Sequence, residues 1–114
     1  MSDGNDKVCD GPLGDVGTRL LHQDARVNIW EIDLQPGEAT APHRHDHDYV
    51  LIIVEGDRIA AVPHVDSSGP SAQYIDAEVV PGSCVPMQKG GIEAARNIGT
   101  GRYLEYLIEL KKDA

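Results

Sequence analysis

The sequence predicts an all-β domain of the two-sheet or barrel type, and three observations carry that prediction. Val and Ile together number 19 against eight Leu, with one Trp and no Phe. β-Branched side chains lose rotamer freedom in a helix and pack well on a pleated surface, so this balance favours strands. Twelve Gly and seven Pro then divide the 114 residues into short segments. Turn signals recur roughly every 8 to 15 residues, the spacing of a sandwich or barrel. A chain of this length supports one core, not two.

Residues 1–17 are rich in Gly and Asp and poor in large apolar side chains. They read as a flexible leader, ahead of a single domain over residues 18–114. A short strand is expected around Thr18 to His22. Val27 to Leu34 alternates, with Asn28, Trp30, Ile32 and Leu34 on one face and Val27, Ile29, Glu31 and Asp33 on the other. Gln35-Pro36-Gly37-Glu38 is a turn, because Pro presets φ and Gly tolerates positive φ.

Tyr49 to Val54 is a nearly continuous apolar strand. Glu55-Gly56-Asp57 turns it toward Arg58 to Val62, which is expected to return as a hairpin partner. Val65 to Ser71 is a loop, and Ala72 to Val80 holds one or two strands. Pro81-Gly82 turns the chain into Ser83 to Met87. Lys89-Gly90-Gly91 turns it again into Ile92 to Asn97. A further hairpin turn over Asn97 to Gly101 leads into Arg102 to Leu110. Leu104, Leu107, Ile108 and Leu110 also match a helical stripe, but a hairpin needs a partner strand, so the segment is read as β. Tyr106 shares a face with Leu104 and Ile108 and is expected in the core or pocket wall. Glu31, Asp33, Glu105 and Glu109 are expected to face outward.

Charge excludes some functions. The chain carries 19 acids against 10 bases, net −9. A nucleic-acid duplex or an anionic membrane repels such a surface, and Lys111-Lys112 is too short a basic run to offset it. No apolar run approaches the roughly 20 residues of a membrane span, and the polar start predicts no secretory signal. Cys9 and Cys84 make no disulfide framework, so a reducing cytoplasm is expected. Ser or Cys nucleophile motifs, P-loops and dinucleotide fingerprints are missing from the sequence.

The chemistry concentrates in Ala41-Pro42-His43-Arg44-His45-Asp46-His47-Asp48-Tyr49. On a strand, His43, His45, His47 and Tyr49 would share one side and Arg44, Asp46 and Asp48 the other. Two neutral imidazoles about 7 Å apart along one strand face can converge on one metal.

Gly37, five residues, His43, one residue, His45, three residues, Tyr49, six residues, Gly56: this spacing resembles the first motif of the cupins. The family has Glu where this chain has Tyr49. Gly82, Pro86, Gly90 and Asn97 follow the order of the second cupin motif, with a shortened Gly82 to Pro86 spacing. The family's second-motif His is Glu93 here. The resemblance covers residues from about 27 to 110. It implies a double-stranded β-helix, a jelly-roll-like barrel with a metal site inside, and a homodimer.

By this resemblance the metal set becomes His43 and His45, completed by Glu93 or His47, suited to Fe, Mn, Ni or Zn. Tyr49, Trp30, Gln88 and Tyr106 are candidate pocket-lining residues. The implied function is metal-dependent binding or conversion of a small polar metabolite, by dioxygenase, isomerase or lyase chemistry. The alternative is a non-catalytic ligand-binding barrel with a degenerate metal site. His22 and His64 are expected to have ordinary structural or surface roles.

Overall fold

The alternating segments become nine β-strands in the computed structural model, which describes residues 7–69 and 72–111; no α-helix occurs among them. In chain order they are β1 Arg19–Gln23, β2 Val27–Leu34, β3 His43–Arg44, β4 Asp48–Glu55, β5 Arg58–Pro63, β6 Ile75–Glu78, β7 Cys84–Met87, β8 Ile92–Asn97 and β9 Tyr103–Leu110. β2 and β8 span the residues expected from sequence, and the C-terminal segment is a strand rather than a helix.

Two antiparallel sheets result. One has the order β1-β2-β9-β4-β7, the other β3-β8-β5-β6. From β2 to β5, and again from β6 to β9, successive strands alternate between the sheets. That alternation is the double-stranded β-helix. It also corrects two expected hairpins. β4 pairs with β9 and β7, while β5 pairs with β8 and β6, so the 55–57 turn carries the chain across the barrel. The 97–101 turn likewise crosses from β8 to β9 in the other sheet. Gly and Asp serve an arch between sheets as well as a tight hairpin, so turn residues alone do not distinguish them. Gly56 is at φ 143°, and a Cβ there would lie 2.7 Å from the Tyr103 ring.

Register fixes which side chains face the interior. Asn28, Glu109, Tyr49 and Met87 are successive cross-strand partners in one inward row. Trp30, Leu107, Leu51 and Val85 form the next, then Ile32, Glu105 and Ile53. Val16, Ile32, Leu34, Tyr49, Ile53, Tyr103 and Leu107 form the buried core, with Trp30, Leu51, Ile59 and Val79 packed against it. Each such side chain contributes roughly 1.5–3 kcal/mol through removal from water.

Strand β9 presents Tyr103, Glu105, Leu107 and Glu109 inward, so Tyr106 lies on the opposite face, paired with Glu31 and Ile52. The expected wall position of Tyr106 is thus corrected, as is the outward placement of Glu105 and Glu109, each only 5% exposed. Glu31 and Asp33 do face outward, ion-paired with Arg19 and Arg102.

Residues 7–17, part of the expected leader, lie against the barrel; residues 1–6 fall outside the described residues. Cys9 exchanges backbone hydrogen bonds with Pro63 and Val65, and the Gly14 amide donates to the Pro42 carbonyl at 2.7 Å. Val16 joins the core. His64, only 6% exposed, bonds the Gly11 carbonyl, a structural role as expected.

Candidate metal centre

Strand β3 delivers His43 and β8 delivers Glu93 as direct cross-strand partners. Pro42 favours extended backbone on entry to β3. Beyond Arg44 the pairing continues, with the His45 amide donating to Gly91 and the Gly90 amide to His45. Gly90 and Gly91 have φ of 107° and 88°, a turn that returns the chain into β8 opposite β3. The shared face expected for the His run therefore holds for His43 and His45, 1% and 3% exposed, while Tyr49, 4% exposed, reaches the same cluster from β4 in the other sheet.

The ligand atoms of His43, His45 and Glu93 all lie within 4.8 Å of one another. His43 Nδ1 sits 2.9 Å from the Ala41 carbonyl oxygen. A carbonyl only accepts, so Nδ1 carries the proton and Nε2 keeps its lone pair. Thr40 supports this turn, its hydroxyl accepting from the Ala95 amide. Burial, then the neighbouring His45, lowers the pKa of His43, which keeps the ring neutral and ready to ligate.

His45 Nε2 lies 3.3 Å from Glu93 Oε2. Two donors of one metal at bond lengths of about 2.0–2.2 Å stand roughly this far apart. His45 Nδ1 is buried and has no hydrogen-bond partner among the described residues. The His43 and His45 rings meet edge to face at 4.7 Å, and Tyr49 stacks on His45 at 4.1 Å with planes 12° apart.

Of the two residues expected to complete the metal set, Glu93 converges with the histidines and half-buried His47 does not. β3 ends at Arg44 and β4 begins at Asp48, which takes His47 out of the strand alternation. Burial, then the carboxyl groups of Glu93 and Glu105, push the Tyr49 phenol well above its ordinary range, so it is not an anionic ligand. Trp30 faces inward and donates to Glu109 at 2.9 Å. Gln88 is exposed and Tyr106 faces away, so neither joins this cluster. A groove of about 420 Å³ is lined by Arg44, His45, Asp66, Ser67, Lys89 and Gly90, among others.

Sequence reasoning missed the interior acids of β9. Glu105 accepts a short hydrogen bond from Tyr103, and burial raises its pKa to about 7. Glu109 accepts from Asn28 Nδ2 and Trp30 Nε1, both at 2.9 Å. The signal available was the period-2 set Tyr103, Glu105, Leu107, Glu109, had Leu107 been taken as the inward anchor.

No protein-family model matches the sequence, and no curated protein does. Solved structures do match. A cupin domain from Bordetella pertussis Tohama I superposes with TM-score 0.66 at 20% identity, covering 86% of this chain and 99% of that one. An RmlC-like cupin family protein with a double-stranded β-helix fold from Methanocaldococcus jannaschii gives 0.63 at 17%, covering 81% and 76%. A cupin superfamily protein from Desulfitobacterium hafniense DCB-2 gives 0.58 at 23%, covering 88% and 81%. The fold of this chain is the cupin fold.

Proposed function

We propose that the barrel interior holds a divalent metal through His43, His45 and Glu93 and there binds or transforms a small polar metabolite. The observation that carries this reading is the convergence of two buried imidazoles and one carboxyl group within 4.8 Å. Two His and one carboxylate suit Fe, Mn, Ni or Zn with coordination positions left for a ligand. Such an ion, when bound, would supply Lewis-acid or redox chemistry of the dioxygenase, isomerase or lyase kind.

The chain's own residues do the remaining work. The Ala41 carbonyl fixes the His43 tautomer. Tyr49 orients His45 by stacking and keeps its phenolic proton, available as a donor. The second reading, a non-catalytic binding barrel, is favoured by that same Tyr49. It stands at the motif position of a ligating Glu and contributes an aromatic face instead.

Metal content of tag-free protein decides between them, compared with a His43→Ala/His45→Ala double variant. Stoichiometric metal that disappears in the variant supports the metal reading, with weaker retention in Glu93→Gln. Metal-free protein, equally stable with and without added metal, supports the binding barrel. Unchanged affinity in Glu93→Gln removes Glu93 from the ligand set.

The proposal extends to assembly and setting: a homodimer in a reducing, cytoplasmic environment. The free thiols of Cys9 and Cys84 fit the latter. No helix among the described residues is long and apolar enough to cross a membrane.

A further inference from the structure

The groove of about 420 Å³ beside His45 falls within the size range of small-molecule pockets, about 300–1,000 Å³. Three segments build it, and hydrogen bonds fix them to one another. Residues 90–92 run between the other two. On one side Arg44 pairs with Ile92, the His45 amide donates to Gly91, and the Gly90 amide donates to His45. On the other side the His64 amide donates to the Ile92 carbonyl and the Ile92 amide to Ser67 Oγ. The Lys89 amide donates to Asp48 at 2.9 Å, which holds the near end of the turn. Two glycines leave the middle segment without side chains, and a Cβ built on Gly90 would meet nothing within 4 Å. The depression is therefore preformed, so a ligand does not bear the cost of ordering its walls.

Four charged side chains line it: Arg44, Lys89, Asp46 and Asp66. They do not neutralise one another. Arg19, Arg58 and Arg102 each sit on a carboxylate, but neither Arg44 nor Lys89 is ion-paired among the described residues, and Asp46 has no cation beside it. Asp66 Oδ2 lies 3.8 Å from His64 Nδ1. That ring is not its counter-ion. His64 Nε2 carries the proton toward the Gly11 carbonyl, while Nδ1 accepts from the Asp66 amide, so the imidazole is the neutral tautomer. Ser67 Oγ accepts from Ile92, and its own proton remains available to a ligand acceptor.

We propose that this groove binds a small zwitterion of the amino-acid type. Its carboxylate is held by Arg44 and Lys89 with the Ser67 hydroxyl, and its ammonium by Asp46 and Asp66. A simple anion would meet both aspartates and a simple cation both bases, whereas a zwitterion answers all four charges at once. The lining charges are hydrated in the free chain, so the gain per contact is modest and a Kd of about 0.1–1 mM is expected. The proposal goes beyond the metal reading, because no ion takes part in it.

The test is a ¹H–¹⁵N titration of the full chain in the presence of a chelator, so that its outcome bears on the groove alone. L-Alanine, L-leucine and L-glutamine are the zwitterionic probes, with propionate and ethylamine as the singly charged controls. At least one amino acid is expected to shift the amide signals of Ser67, Gly90 and Gly91 saturably, and neither control to do so at the same concentration. Arg44, Lys89, Asp46 and Asp66 are all exposed, so their substitution leaves the core intact. Arg44→Gln/Lys89→Gln and Asp46→Asn/Asp66→Asn should each weaken the bound amino acid at least about tenfold, the loss of one charge-assisted contact. Signals indifferent to all three amino acids overturn the proposal, as does an equal shift with propionate or with ethylamine. Wild-type affinity in either double variant overturns it as well.

Discussion

The ring of Tyr49 lies flat on the imidazole of His45, centroids 4.1 Å apart, at the position where the motif resemblance sets a Glu. Tyr49→Glu should therefore act oppositely with and without metal. In the presence of a chelator it buries a carboxyl group near Glu93 and Glu105 and removes a core ring, costing on the order of 3 kcal/mol. Added Zn²⁺ or Mn²⁺ should recover much of that loss, because the new carboxylate gains a cation to ligate. Thermal unfolding with chelator and with metal measures both arms. A variant that metal does not rescue would mean that residue 49 does not face the proposed ion.

The buried Glu105 predicts a pH dependence with a definite sign. Its pKa rises from 4.5 to about 7 in the folded chain, chiefly through burial, and the Tyr103 bond only partly opposes this. The folded state thus holds a proton that the unfolded state releases between pH 4.5 and about 7. Through this group, stability is highest below that window and falls as pH rises across it. The full effect is about 3 kcal/mol. His43 works against it: its lowered pKa makes the folded state bind fewer protons, so its contribution rises with pH toward 6.5. The difference between wild type and Glu105→Gln isolates the first term. Gln still accepts from Tyr103 but never ionises, so its advantage over wild type should grow from pH 5 to pH 8. A constant difference across that range, measured by denaturant unfolding, contradicts the assignment.

Asn97 links three segments and is fully buried. Its Nδ2 donates to the carbonyls of Leu34 and Gly101, at 2.9 and 2.8 Å, and its Oδ1 accepts from the Gly99 amide. Asn97→Ala strands two carbonyls and one amide at the turn between sheets. The expected cost is about 3 kcal/mol, a fall in Tm on the order of 10 °C. Asn97→Asp should be nearly as costly, since it keeps the acceptor but loses both donations. Calorimetry on the two variants checks this, and a loss confined to Ala would mean that the Gly99 contact carries the turn.

Legibility in the sequence followed the strength of the local signal. β2 and the inward set Asn28, Trp30, Ile32 and Leu34 were readable because one face alternates cleanly with acids on the other. His43 and His45 were readable because motif spacing and strand parity agree. β9 was not readable in its parity: Leu104, Tyr106 and Ile108 on one side are as apolar as Tyr103 and Leu107 on the other. Binary patterning then assigns the acids to solvent, and only the register with β2 and β4 turns Glu105 and Glu109 inward. The two supposed hairpins failed for a related reason. A turn sequence specifies local φ and ψ, whereas the sheet the next strand joins depends on which edges are free. His47 dropped out because β3 stops after two residues, and the parity count does not survive the break.

The outward face of the five-stranded sheet supplies the last prediction. Ile29, Ile108, Val50 and Pro86 form one cross-strand row and Tyr106 and Ile52 lie in the next, all with part of their surface exposed. Apolar side chains grouped on one sheet face suit burial against a partner, although Glu31, ion-paired with Arg19, borders the second row. In the proposed homodimer this face meets its two-fold copy, which is self-complementary where apolar rows cross. Sedimentation of the wild-type chain should give twice the 12.3 kDa monomer mass. Ile52→Lys with Ile108→Lys should yield a folded monomer, since each ammonium remains hydrated on a free sheet face but not inside an interface. A wild-type chain that sediments as a monomer at high micromolar concentration rules the dimer out. A double variant that remains dimeric moves the interface to an edge strand.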